Sequence, residues 1–161
     1  MKQPGTAAFG HQVWPARAGA LTPIRREVRR WLAPLEVIPE AEADLVLAVN
    51  EAAANAIDHA YRTGADTGDD TGDGRDVVEV FFWTEPGAVL LEVVDHGQWR
   101  PPGPHAAGGG YGIALMHRLV EAVLIHHDAR GTRVLLRHSL PARPRTLLPD
   151  IALPAARVGD R

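Results

Sequence analysis

Apolar residues in the first third of the chain recur at helical spacing, and further along they fall into short strand-like runs. Leu21, Ile24, Val28, Trp31, Leu32 and Leu35 are three and four residues apart, which predicts an amphipathic helix. Thr22-Pro23 supplies its expected N-cap and first-turn proline, and Pro34 its end. A second helix is predicted from Ala41 to Tyr61, after a Val37–Glu40 linker. At about 100° per residue, Leu45, Val46, Val49, Ala53, Ala56, Ile57 and Ala60 share one arc of it. Asp44, Glu51, Asn55 and Asp58 form a narrow stripe opposite, with His59 at its margin.

Phe9–Trp14 reads as a short strand closed by Pro15. Val77–Trp83 and Ala88–Asp95 form a predicted hairpin through Glu85-Pro86-Gly87. Gly112–Val120 is a short helix, and Ala122–His127 with Thr132–His138 a second hairpin turning through residues 128–131. Helices early, strands later and one helix between hairpins predict an α+β, two-layer α/β sandwich, with the helices on one face of a mostly antiparallel mixed sheet. The parallel βαβ alternation of a dinucleotide fold is missing. Residues 1–8 read as a flexible start, 9–140 as one domain and 141–161 as a mobile tail. The acidic, Gly-rich stretch 62–76 reads as a disordered insertion, since it lacks the ligand spacing and closing Glu of a calcium loop.

Composition narrows the chemistry. The 161 residues carry a net charge of −3, which does not indicate general affinity for nucleic acid or anionic lipid. There is no cysteine, so disulfides, thiolate catalysis and a Cys-based zinc site are excluded. The eight histidines are scattered without metal-ligand spacing. No stretch would span a bilayer and no signal peptide is visible, so a cytoplasmic protein is expected. Arg25, Arg26, Arg29 and Arg30 line the exposed side of the first helix, as a solvated face or a surface for an acidic partner.

Four short motifs carry candidate chemistry. The stripe on the second helix offers carboxylates and an amide, hard oxygen ligands suited to Mg²⁺ carrying phosphates, or else a solvated acidic face. Asp95-His96-Gly97 at a strand end is a turn, or an acceptor for an exocyclic amine such as that of adenine. Gly108-Gly109-Gly110-Tyr111-Gly112 before a helix is a loop, or a backbone cradle for an anion. Gly131-Thr132 opens the last strand.

In that order the motifs resemble the N box, two glycine boxes and Gly-Thr box of the histidine-kinase-like (GHKL) ATPase superfamily. The short length and the absence of a phosphoacceptor-histidine helix pair resemble one branch, the anti-sigma-factor serine/threonine kinases of bacterial partner-switching systems. The resemblance runs from about Phe9 to Leu140. It implies ATP and Mg²⁺ as cofactors, with Asn55 as metal ligand and Glu51 as general base toward an incoming serine or threonine hydroxyl. It also implies that Asp95 holds the adenine amine, Gly97 makes room for the base and Thr132 supports both through water. Gly108, Gly110 and Gly112 would form the phosphate-facing lid, with His59 near the site. The implied partners are an anti-sigma antagonist as substrate and a sigma factor, with pairing as a homodimer. One departure is the first glycine box, which continues Gln98-Trp99 where a second glycine is usual. Two other functions compete with the kinase: a module that binds ATP and sequesters a partner without phosphoryl transfer, and a detached sensor-kinase domain served by a histidine-bearing partner.

Overall fold

The computed structural model of the chain describes residues 9–60, 76–97 and 111–140, with the side chains of His59 and Ala60 left out. The expected flexible start, most of the acidic insertion, Gly108, Gly110 and the expected mobile tail lie outside the described residues.

The elements run β1 (Phe9–Pro15), α1 (Leu21–Leu32), α2 (Pro39–Asn55), β2 (Val77–Glu85), β3 (Ala88–Asp95), α3 (Tyr111–Leu119), β4 (Ala122–Asp128) and β5 (Gly131–Ser139). The strands form one sheet in the order β1-β2-β3-β5-β4, and all four ladders are antiparallel. The α+β sandwich predicted from the element order is therefore the observed class. Two tight turns set the registers. Pro86-Gly87 joins β2 to β3, with Gly87 at φ 75°, a region that disfavours any residue with a Cβ. Between β4 and β5, the Asp128 carboxylate accepts the Arg130 N–H at 2.7 Å, which closes the turn locally.

Alternation along the strands decides what is buried. Val78, Val80 and Phe82 of β2, Val89, Leu91 and Val93 of β3, and Val134 and Leu136 of β5 all enter the core. Against them lie Ile24, Val28 and Leu32 of α1, Leu45 and Val49 of α2, and Met116 of α3. Each large apolar side chain so buried contributes roughly 1.5–3 kcal/mol. Ala48, Ala52 and Ala53 are also fully buried, so α2 meets its neighbours through small residues that permit close approach. Trp31 extends the core edge with its ring tilted against Phe82, centroids 5.4 Å apart.

Strand ends and α3 differ from the sequence expectation by one or two residues, and three helix boundaries differ in their local chemistry. Thr22 is not the N-cap of α1, because a 3-10 turn at Ala18–Ala20 leads straight into the helix and Ala20 holds the cap position with helical dihedrals. Inside the first turn, the Thr22 hydroxyl instead accepts a hydrogen bond from Arg25 at 2.9 Å. Pro39 is not in a linker but opens α2, preceded by Ile38 in the extended conformation that a following proline favours. Finally, α2 does not continue as an α-helix to Tyr61. It ends at Asn55 and passes into a π-helical turn, Ala56–Ala60. Among the described residues no helix is long and apolar enough to cross a membrane.

Candidate active site

One half of the site is built on strands. Asp95 is the last residue of β3, and the antiparallel register sets it directly opposite Thr132 of β5. Both residues are buried, Asp95 to 5% exposure and Thr132 to 8%. The Asp95 Oδ1 accepts the Gly97 N–H at 3.0 Å and the Thr132 N–H at 3.3 Å. Burial pushes its carboxyl above the usual carboxylate range, while the N–H donors of Gly97 and Thr132 pull the other way. A buried acceptor held this firmly, beside a glycine, suits recognition of an amine donor on a planar base.

Gly131 makes the arrangement possible. A Cβ there would lie 1.9 Å from the Asp95 carbonyl oxygen and 2.7 Å from the His96 Cα, and its φ is 132°. The start of β5 therefore crosses the Asp95–His96 backbone at a distance that only glycine permits. The sequence reading selected Thr132 and passed over Gly131 as a strand start. The available signal was a glycine directly before that threonine, which marks close backbone approach when it opens a strand.

The other half is built on helices. Glu51 and Asn55, four residues apart on α2, are both half-buried. The first turn of α3 meets them. A Cβ on Gly112 would stand 3.2 Å from Glu51 Oε2, and 3.4 and 3.6 Å from Asn55 Nδ2 and Oδ1. Gly112 thus brings the backbone at the N-terminus of α3, with its partial positive charge, against the carboxylate and the amide. Their donor set fits Mg²⁺, a hard ion that takes one or two protein oxygens and completes its shell with phosphates and water. Among the described residues no group of three or more His, Asp or Glu side chains could cage a metal alone, so the rest of such a shell would have to come from phosphates and water.

The π turn connects the halves. It follows Asn55 directly and packs against β3 and β5, the strands that carry Asp95 and Thr132. The Ala56 N–H is shared between the carbonyls of Ala52 and Ala53, where the helix loosens. Such turns are frequent at functional positions. Beyond Asn55 the winding no longer extends the predicted stripe, and Asp58 is exposed. His59 lies in this turn, but its side chain is outside what the structure describes, as are Gly108 and Gly110 of the expected lid. Glu51, Asn55 and Gly112 are brought together, as are Asp95, Gly97 and Thr132.

The arginine face of α1 is partly tied down. Arg25 donates to the Asn50 side chain at 2.7 Å, linking α1 to the α2 residue next to Glu51. Arg30 makes a forked pair with Glu27, at 2.6 and 2.8 Å.

Comparison with known proteins places the chain in a family. The family model described as a histidine kinase-like ATPase domain matches residues 14–138. A solved structure, the RsbU and RsbW domains of Rv1364c from Mycobacterium tuberculosis, is similar at 28% sequence identity and a TM-score of 0.60. The match covers 83% of this chain and 32% of that one, so this chain spans about a third of its relative's length. The chain belongs to the histidine kinase-like ATPase family, as the ordered motifs suggested.

Proposed function

We propose that this histidine kinase-like ATPase is an ATP-dependent serine/threonine protein kinase. In this reading it acts as an anti-sigma regulatory factor that phosphorylates an anti-sigma antagonist and also binds a sigma factor. The observation that carries the reading is the joint placement of Glu51 and Asn55 against Gly112. Nucleotide binding alone needs the amide, whereas a carboxylate one turn away supplies a base for an incoming hydroxyl. The similarity to a protein with an RsbW domain supports the choice of branch.

Asp95 accepts the adenine amine, and Thr132, paired with it across the ladder, supports Asp95 and the base through a water. Gly97 keeps that approach free of a side chain. Asn55 would hold Mg²⁺, and the ion would supply neutralisation of phosphate charge. Glu51 takes the proton from the serine or threonine oxygen as that oxygen bonds to the γ-phosphorus and the bond to the β-phosphate oxygen breaks. The N-terminus of α3 faces the phosphates, and Gly112 lets its backbone come close.

The test is transfer of label from γ-labelled ATP·Mg to the candidate antagonist. Glu51→Gln is expected to lower transfer by about 10²- to 10⁴-fold, the usual worth of a general base, with nucleotide affinity retained. Asn55→Ala is expected to lose Mg²⁺-dependent nucleotide binding in an equilibrium titration. Tight ATP binding with no transfer to any antagonist would sink the kinase reading and leave the sequestering module in its place.

A further inference from the structure

Outside the site just described, the solvent face of the sheet carries a second constellation that reaches the adenine turn. Glu79 of β2 engages two histidines, one on each oxygen. Its Oε1 lies 2.5 Å from His96 Nε2 and its Oε2 lies 2.6 Å from His11 Nε2. His11 belongs to the edge strand β1, and its ring is stacked on Phe81 with centroids 4.2 Å apart and planes 7° from parallel. His96 stands between Asp95 and Gly97. One carboxylate on the outer face therefore grips the middle residue of the turn whose two ends hold each other on the inner side.

We propose that Glu79 is a positioning residue for nucleotide binding: through His96 it holds the 95–97 turn in its base-accepting conformation. This rests on the reading of Asp95 as the adenine acceptor. Other charged groups on this face engage one another. Arg133 of β5 forks onto Glu92 of β3 at 2.9 and 3.0 Å, Arg137 of β5 meets Glu121 at 3.0 Å, and His126 of β4 lies 3.6 Å from Asp128. Arg133 also feels the charge of Glu79. Among the described residues, the groups hydrogen-bonded to the Glu79 side chain are the two imidazoles.

The bond to His96, followed by that to His11, holds the Glu79 carboxyl below its ordinary range. Its contribution is therefore present above the usual glutamate range and is lost as pH falls through its lowered value.

The test is equilibrium titration with a fluorescent ATP analogue and Mg²⁺ at neutral pH and constant ionic strength, arranged as a double-mutant cycle. The unaltered protein is compared with Glu79→Ala, His96→Ala, their combination and His11→Ala, each checked for folding by circular dichroism. Glu79→Ala and His96→Ala are each expected to lose affinity about two- to fivefold, the worth of one exposed hydrogen bond. Their combination is expected to lose no more than either alone, since both remove the same contact. His11→Ala is expected to lose less. Losses that simply add would mean that the two residues act independently, and so overturn the proposal. So does unaltered affinity in Glu79→Ala. Failure of the unaltered protein to bind the analogue would instead refute the nucleotide reading itself, and this inference with it.

Discussion

The strand half of the site and the helix half are built on opposite terms. Asp95 and Thr132 are locked by ladder register, buried, and hydrogen-bonded through backbone N–H groups. Glu51 and Asn55 sit half-buried on a helix and face another helix across a missing side chain. Recognition of a base rewards a rigid acceptor whose donors are already in place. Proton abstraction from a protein hydroxyl requires a carboxylate that a large substrate can reach. On the proposed function, the strand half sets nucleotide affinity and the helix half sets turnover.

The largest expected effect breaks the rigid half. Gly131→Ala puts a methyl group 1.9 Å from the Asp95 carbonyl oxygen, so either the β3–β5 ladder shifts or the protein does not fold. A loss of at least about 3 kcal/mol is expected in urea unfolding, as for other steric failures in a core, with nucleotide binding abolished. Stability and affinity near those of the unaltered protein would show that the two strands can part without consequence.

Asp95→Asn separates folding from recognition. Burial raises the carboxyl pKa of Asp95 in the folded state, so its charged form opposes folding above the ordinary aspartate range. That penalty is relieved as pH falls through the raised value. Asparagine keeps an oxygen for the Gly97 and Thr132 N–H groups and removes the charge. The variant is expected to unfold at higher urea than the unaltered protein at neutral pH, while losing nucleotide affinity by about tenfold or more, because its NH₂ confronts the adenine amine. The unaltered protein should likewise lose affinity in acid as Asp95 takes up a proton. Lower stability in Asp95→Asn at neutral pH would mean that the charge supports the fold.

The smallest expected effect probes the adaptable half. In Gly112→Ala the new methyl stands 3.2 Å from Glu51 Oε2, tight contact that a shift of a few tenths of an ångström relieves. Transfer is expected to fall by no more than about tenfold, since displacements near 1 Å cost about a hundredfold, with stability and nucleotide affinity little changed. A loss equal to that of Glu51→Gln would show the helix half to be as unforgiving as the strand half.

Several of these features were legible in the chain because they are local. The Pro86-Gly87 turn, the buried arc of Leu45, Val49 and Ala53, and the spacing of Glu51 and Asn55 each depend on a few neighbouring residues and on helix or strand period. The α+β class follows from the order of such segments. The motif Asp95-His96-Gly97 could be read as an amine acceptor, but nothing near it in sequence tells that Gly131 must pass over its backbone.

What only the tertiary structure decided is the set of relations between distant segments. The placement of β5 beside β3 turns Thr132 into the partner of Asp95. The packing of α3 on α2 makes Gly112 a neighbour of Glu51. Pairing of β1 with β2 brings His11 within reach of Glu79, which also takes hold of His96. The π turn after Asn55 replaced a predicted run of α-helix where α2 packs on the strands. Helix and strand periods are properties of a chain segment. Register, close approach and side-chain pairing across a sheet are properties of how segments share one core, and no segment carries that information alone.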